Sequence, residues 1–356
     1  MAQELLTVAD HEQAAQARLS PECWAYFAGG AGDEHTLRRN QVAWADWQLQ
    51  PRVLRSLQGL DTTTELLGKT WPTPLLAAPM AQLQLAHPDG EAALALATSA
   101  LGCGMVLSQQ TNTALDTVAP LALNSSDRGP LWFQLYHRGD RAATLELAHQ
   151  AAVAGYEALV LTVDAPIQGV RDRERRHPMR STPLARPHWH PRGEPTTMQQ
   201  LLQTAPTWDD VAWLRAHSPL PLLVKGITHP ADAALAAELG VAGVIVSNHG
   251  GRVLDTVPST AECLPAIADQ LQGRCTLLVD GGLRRGSDIF KALALGAHGV
   301  LVGRPLVWGL ANGGAASAAH VLRLLLDELW ATMVLCGASS CAQATRSHIK
   351  NITHSM

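Results

Sequence analysis

Eight short apolar runs, each followed by a longer segment of helical texture, recur along the chain from about residue 74 and narrow the folds open to it. They are LLAAP 75–79, GMVLS 104–108, LWFQL 131–135, ALVLTV 158–163, PLLVK 221–225, AGVIVS 242–247, TLLVD 276–280 and GVLVG 299–303. Runs of this length without polar alternation suit strands buried on both faces, as in a parallel sheet covered by helices. Eight strand–helix repeats favour an α/β fold of the closed (β/α)8, or TIM, barrel type over an open doubly wound sheet. No G-x-G-x-x-G follows any run, which counts against a Rossmann-type arrangement. The GKT tripeptide at 68–70 is not a P-loop, because Thr63 falls where that loop's first glycine belongs.

The chain has 356 residues, 47% apolar and 16% charged, enough to bury a large core. Its net charge of -4 supplies no field for a phosphate polymer or an anionic membrane, so neither nucleic acid nor a membrane is an expected partner. Six cysteines without a C-x-x-C pair read as reduced thiols. The opening MAQELLTVADHEQ carries acids where a signal peptide needs a basic end, and no run approaches the ~18 apolar residues of a membrane span. The final HSM is not a peroxisomal tail, so a cytoplasmic location is expected.

Two stretches stand outside the repeat. Residues 1–60 have helical texture, broken by GGAG at 29–32. Between Asp164 and Trp208, after the fourth run, lies a long irregular loop with arginines at 171, 173, 175, 176, 180, 186 and 192, histidines at 177, 188 and 190, and several prolines. A loop this long in a compact domain is functional or mobile, and the ordinary reading of its charge run is a solvated surface.

Barrel active sites gather at the carboxyl ends of the strands. Those ends supply Met80, Ala81, Ser108, Gln110, Gln134, Tyr136, Thr162, Asp164, Lys225, Ser247, His249, Asp280, Gly303 and Arg304. Any one of these fits a satisfied core residue, but unpaired buried charges cost several kcal/mol, and so many polar groups together are better explained by a site. The last two runs lead into DGGLRRG 280–286 and Gly303-Arg304-Pro305. Glycines there free backbone N–H groups for an anion and each loop adds an arginine, which points to a phosphate site; glycines that merely make tight turns account less well for both arginines.

The stretch SNHGGRVLD at 247–255 resembles the signature of the flavin mononucleotide (FMN)-dependent 2-hydroxy acid oxidases and dehydrogenases, the glycolate oxidase and lactate oxidase family. The similarity continues, colinearly, through YFAGGAGDEHTL 26–37, AAPMAQLQLAHPDGE 77–91, WFQLY 132–136, LTVDAP 161–166, LLVKGI 222–227, DGGLRRGSDIFKALALGAHGVLVGRP 280–305 and RSHI 346–349. The resemblance implies one domain over 1–356: an N-terminal helical segment 1–73, a barrel 74–340 and a tail 341–356. It also implies a homotetramer.

It further implies that His249 takes a proton from the substrate and that Asp164 holds its ring, that Arg171 and Arg252 clamp the substrate carboxylate with help from Tyr26, and that Tyr136 bonds the substrate oxygen. For FMN it implies Lys225 beside the pyrimidine end of the ring. Ala78, Pro79, Met80, Ala81, Ser108, Gln134, Thr162 and Ser247 would lie along the ring or ribityl chain, with Asp280, Gly282, Arg284, Gly303 and Arg304 at the ribityl and phosphate end. No metal is implied.

Gln110 stands where the family usually has an aromatic residue, and Gln168 where an apolar one is common. Both positions belong to the pocket for the substrate's side chain, so a substrate with a polar tail is expected. The implied reaction is oxidation of an L-2-hydroxy acid to the 2-keto acid. The Arg-, His- and Pro-rich loop differs from the apolar insert of membrane-docking dehydrogenases, which favours O2, an oxidase acceptor, over a quinone or protein. A flavin-dependent isomerase or an inosinate dehydrogenase-like barrel lacks S-N-H-G-G-R with a second arginine after T-V-D. A barrel that binds flavin without catalysis has no use for His249, Asp164, Arg171, Arg252 and Tyr136 together.

Overall fold

In a computed structural model, which describes residues 4–137, 139–179, 184–188 and 197–352, the eight apolar runs form eight strands closed into a barrel. In chain order these are β1 (Leu75–Ala77), β2 (Gly104–Ser108), β3 (Leu131–Leu135), β4 (Ala158–Thr162), β5 (Leu222–Ile227), β6 (Gly243–Val246), β7 (Thr276–Val279) and β8 (Gly299–Val302). Each pairs in parallel with its neighbours, and β8 closes on β1 through Leu301↔Leu76. Alternation along the strands splits their side chains between two cores. Leu76, Val106, Trp132, Val160, Leu223, Ile245, Leu278 and Leu301 fill one cluster, and the intervening residues pack under the surrounding helices.

The helical texture expected over residues 1–60 ends at Val42. Helices α1 (Val8–Arg18), α2 (Pro21–Ala28) and α3 (His35–Val42) begin the chain. Thr7 and Ser20 cap the first two, and Pro21 starts the second without losing a bond. Trp47–Leu49 is then a short strand paired antiparallel with Ile349–Asn351, tying the two ends of the chain together. Thr64–Leu66 and Lys69–Trp71 form a hairpin whose turn, Leu67-Gly68, has positive φ at both residues (55° and 73°). GKT belongs to this hairpin. Its Leu66 and Trp71 close the amino-terminal end of the barrel interior, where Leu67 N–H donates to Thr276 at the start of β7.

Between β4 and β5 the long loop carries helices at Asp172–Arg176, Met198–Thr204 and Trp208–His217. Arg175 and Arg176 are exposed, as a solvated run would be, but Arg173 pairs with Glu34 and Arg186 faces a cavity. Arg180, His190 and Arg192, like the terminal HSM, lie outside the described residues. All six cysteines are unpaired. Among the described residues no helix is long and apolar enough to cross a membrane, and the last long helix, Arg304–Cys336, is interrupted at Gly313 and Gly314.

Candidate active site

The barrel register brings Ser108 level with Gln134, and Thr162 level with Lys225, at the carboxyl ends of neighbouring strands. These ends surround a cavity whose empty space, with its open mouth included, is about 1100 Å³. Every site residue anticipated above lines it except Asp164, Ser247 and Gln168. Asp164 and Ser247 stand behind the wall and hold residues that form it, whereas Gln168 lines an adjoining cavity.

His249 follows β6 in a tight turn and has φ 57°, an uncommon conformation for a residue with a side chain. Several bonds hold the turn in place. Its own N–H donates to Ser247 Oγ (3.1 Å), and the buried Asn248 exchanges two amide bonds of 2.8 Å with Asn40 of α3. Nδ1 of His249 lies 2.9 Å from Asp164 Oδ1. Burial pushes the Asp164 carboxyl up, but the charge and hydrogen bond of His249 and the charge of Lys225 outweigh it and leave the carboxyl below its ordinary value.

Lys225 is buried, donates to Ser247 Oγ (2.8 Å) and pairs with Asp280 Oδ2 (3.1 Å). Burial opposes its charge, yet Asp280 and Asp164 raise its pKa above the ordinary lysine value. A fixed ammonium therefore faces the cavity.

Beyond β7 and β8 the lining turns cationic. Arg304 spends its donors on the carbonyls of Phe27, Gly250 and Gly29 (2.9, 3.0 and 2.9 Å). Burial, together with the charges of Arg252 and Arg284, pushes its pKa well down, the mark of a positive cluster short of negative charge. Gly282 has φ 79°, and a Cβ there would meet Asn40 O at 1.8 Å, so only glycine lets this loop pass α3. Besides Arg171 Nε, three cavity-lining side chains retain a buried polar atom without a protein partner: Gln134 Nε2, Asp280 Oδ1 and Arg284 Nε. A donor, an acceptor and a cation, all facing one elongated space, fit a ligand with ring carbonyls, hydroxyls and a phosphate, as FMN has.

Next to Arg304, and sharing its Gly29 acceptor, Arg252 donates to the backbone oxygens of Tyr26 (2.6 Å) and Gly29 (3.0 Å) and lies over the Tyr26 ring, 5.3 Å from its centroid. Arg171 and Arg252 both bond Glu174 Oε1, at 2.7 and 3.1 Å. Burial and the charge of Arg171 lower the pKa of Arg252. Glu174 escaped the sequence reading; its only signal was an acid three residues after Arg171 within a basic run. Gln82, whose Nε2 donates to Tyr26 Oη at 3.4 Å, and Asn40 were missed too, because nothing local marks them.

The adjoining cavity, about 970 Å³ with its open mouth included, shares Tyr26, Gln110, Tyr136, Arg171, His249 and Arg252 with the first and adds Gln82, Gln168 and Arg186. Gln110 and Gln168 thus both face space next to His249. Among the described residues no cluster of His, Cys, Asp and Glu is arranged to hold a metal ion.

Comparison with known proteins agrees with this architecture. Residues 15–351 match the family model described as FMN-dependent dehydrogenase. The chain is 44% identical to an L-lactate oxidase from Nostoc sp., over 93% of this chain and 94% of the relative. It is 39% identical to Glycolate oxidase 3 of Oryza sativa subsp. indica, over 97% and 96%. A crystal structure of mandelate oxidase with (S)-2-phenylpropionate superposes with a TM-score of 0.88 at 35% identity, covering 98% of each chain. With a family match spanning almost the whole barrel and relatives of this similarity, the chain belongs to the FMN-dependent dehydrogenase family.

Proposed function

We propose that this protein is an (S)-2-hydroxy acid oxidase, converting an L-2-hydroxy acid and O2 into the 2-keto acid and hydrogen peroxide. The observation that carries the reading is the His249–Asp164 pair beside a cavity that is also lined by Lys225, Arg284 and Arg304. Relatives named L-lactate oxidase and Glycolate oxidase 3 support the oxidase assignment. When bound, FMN accepts the electron pair leaving the substrate α-carbon and returns it to O2.

The residues around it divide the remaining work. Arg284 and Arg304, with the turns at Gly282 and Gly303, hold the phosphate, and Asp280 takes a ribityl hydroxyl. Ala78, Pro79, Met80, Ala81, Ser108, Gln134 and Thr162 lie along the ring, with Lys225 supplying positive charge. Ser247 acts from behind by fixing Lys225 and His249. Arg171 and Arg252 bind the substrate carboxylate and Tyr26 assists, which positions the α-carbon. Tyr136 bonds the substrate oxygen.

Because Nδ1–H of His249 is directed to Asp164, Nε2 is the basic nitrogen that receives the substrate's proton, and Asp164 stabilises the imidazolium that results. The cytoplasm is the proposed location and a homotetramer the proposed assembly, for which the exposed Trp330 and Leu335 of the last long helix offer apolar surface. Light scattering tests the assembly. The reaction is tested by oxygen uptake with matching peroxide release when the yellow protein meets an L-2-hydroxy acid. Loss of flavin colour without oxygen uptake would instead make it a dehydrogenase.

A further inference from the structure

We propose that Gln109 is a positioning residue for the reaction: its side-chain amide fixes Tyr136, whose hydroxyl bonds the substrate oxygen, and ties it to residues 184–188 of the long loop. The inference rests on the oxidase reading above. Gln109 follows β2 directly and is buried, and its backbone N–H extends the pairing with β3 by donating to Gln134 O (2.8 Å). That bond belongs to the main chain, and any residue but proline would make it. The side chain makes two further bonds. Its Oε1 accepts from Tyr136 N–H (2.9 Å), one residue beyond the end of β3, and its Nε2 donates to His188 O (3.1 Å). Among the described residues that line the two cavities, Tyr136 belongs to both and Gln109 to neither, so the amide acts on the site from behind its wall.

The two ends of the amide are not interchangeable. Only its oxygen can accept from Tyr136 N–H and only its nitrogen can donate to His188 O, so the His188 carbonyl selects the orientation that serves Tyr136. His188 is itself fastened. Leu115 N–H donates to its Nε2 (2.9 Å), its ring meets Phe133 edge-on with centroids 6.2 Å apart, and Asn112 Nδ2 donates to the nearby Ala185 O (3.0 Å). Asn112 and Leu115 lie on the segment that follows β2, so Gln109 and residues 184–188 are anchored to one piece of the barrel rim. Tyrosine carries its hydroxyl at the far end of a rigid ring, so a small tilt of the backbone at Tyr136 moves that oxygen much further than the backbone itself. A misplacement of about 1 Å at such a contact is enough to slow a reaction roughly 10²-fold. An apolar side chain at 109 would take a partner from both Tyr136 N–H and His188 O, and both would shift to find another.

The test is a double-mutant cycle on flavin reduction, measured by mixing the FMN-loaded enzyme under nitrogen with glycolate, L-lactate, L-malate or L-mandelate, whichever reduces the wild type fastest. Gln109→Met should slow reduction at saturating substrate at least tenfold when Tyr136 is present. In the Tyr136→Phe background the same change should cost less than threefold, because a residue that acts through the Tyr136 hydroxyl has nothing to act on once that hydroxyl is gone. A merely structural role would slow both backgrounds by the same factor. Should Gln109→Met fail to fold, Gln109→Ser replaces it in the cycle with the same expectation. Hydrogen exchange resolved to single amides supplies a readout apart from turnover: the Tyr136 amide should exchange at least tenfold faster in the Gln109 variant while the β3 amides exchange as in the wild type. Reduction at wild-type speed in the Gln109 variant, equal slowing in both backgrounds, or an unchanged Tyr136 amide would each overturn the proposal and leave the oxidase reading standing. Wild-type flavin that no 2-hydroxy acid reduces would sink the oxidase reading, and this proposal with it.

Discussion

Glu174 places one carboxylate oxygen between Arg171 and Arg252, bonding both guanidinium groups at 2.7 and 3.1 Å. All three side chains are largely buried, so this carboxylate compensates a pair of like charges that would otherwise repel at the place assigned to the substrate's carboxylate.

Glu174→Gln should therefore destabilise the protein without added anion, by about 3–5 kcal/mol if the pair behaves as other broken buried pairs do. A saturating small carboxylate such as oxalate should recover much of the loss, since an anion that binds only the folded state stabilises it by mass action. Thermal unfolding with and without oxalate checks this. A variant as stable as wild type, or one that oxalate does not rescue more than wild type, would remove Glu174 from the clamp.

His249→Ala should leave FMN bound and slow its reduction by substrate about 10²–10⁴-fold, the usual worth of a positioned base. Rapid-mixing absorbance under nitrogen measures the rate. Reduction at near wild-type speed would show that the base lies elsewhere.

What could be read ahead of the structure follows from where the physics is local. The strands were legible because burial on both faces leaves a run with no polar position, and the polar residues at their ends stood out against that background. The hairpin at Thr64–Trp71 was not, since each arm has three residues and the segment TELLGKTW shows no sustained period. Glu174 and Arg186 were hidden in a loop whose composition reads as solvated surface, and only tertiary contacts distinguish them from Arg175 and Arg176. Asn40 acts through a partner 208 residues away, a relationship that no window of sequence contains.

Arg304→Ala should purify paler, because a charge-assisted bond contributes about 1.5–3 kcal/mol, roughly 10- to 150-fold in FMN affinity. Arg304 also bridges Phe27, Gly250 and Gly29, so the wild type is the cleaner test of the phosphate site. Riboflavin, lacking the phosphate, should bind the apoprotein far more weakly than FMN in a fluorescence titration. Equal affinities would eliminate the site.

His11 is buried in α1 against His320, with Nε2 3.0 Å from His320 Nδ1, and burial and that neighbour push its pKa down to about 4. Between pH 4 and the unfolded value of about 6.5 the unfolded chain holds the extra proton, so stability is complete above that window and is lost as pH falls through it. The slope is at most about 1.4 kcal/mol per pH unit. Urea unfolding from pH 7 to 4.5 should show a shallower decline in His11→Gln than in wild type. Parallel declines would mean that His11 titrates normally.

The central claim is that the His249–Asp164 pair and the arginine clamp serve oxidation of a 2-hydroxy acid by bound FMN. Anaerobic mixing of the yellow protein with L- and D-2-hydroxy acids, monoacids and diacids alike, tests it most directly. The account predicts rapid loss of flavin absorbance with L-acids only, one 2-keto acid formed per flavin, and recovery of the colour with peroxide release when air is admitted. Flavin that stays oxidised with every L-2-hydroxy acid offered would contradict it.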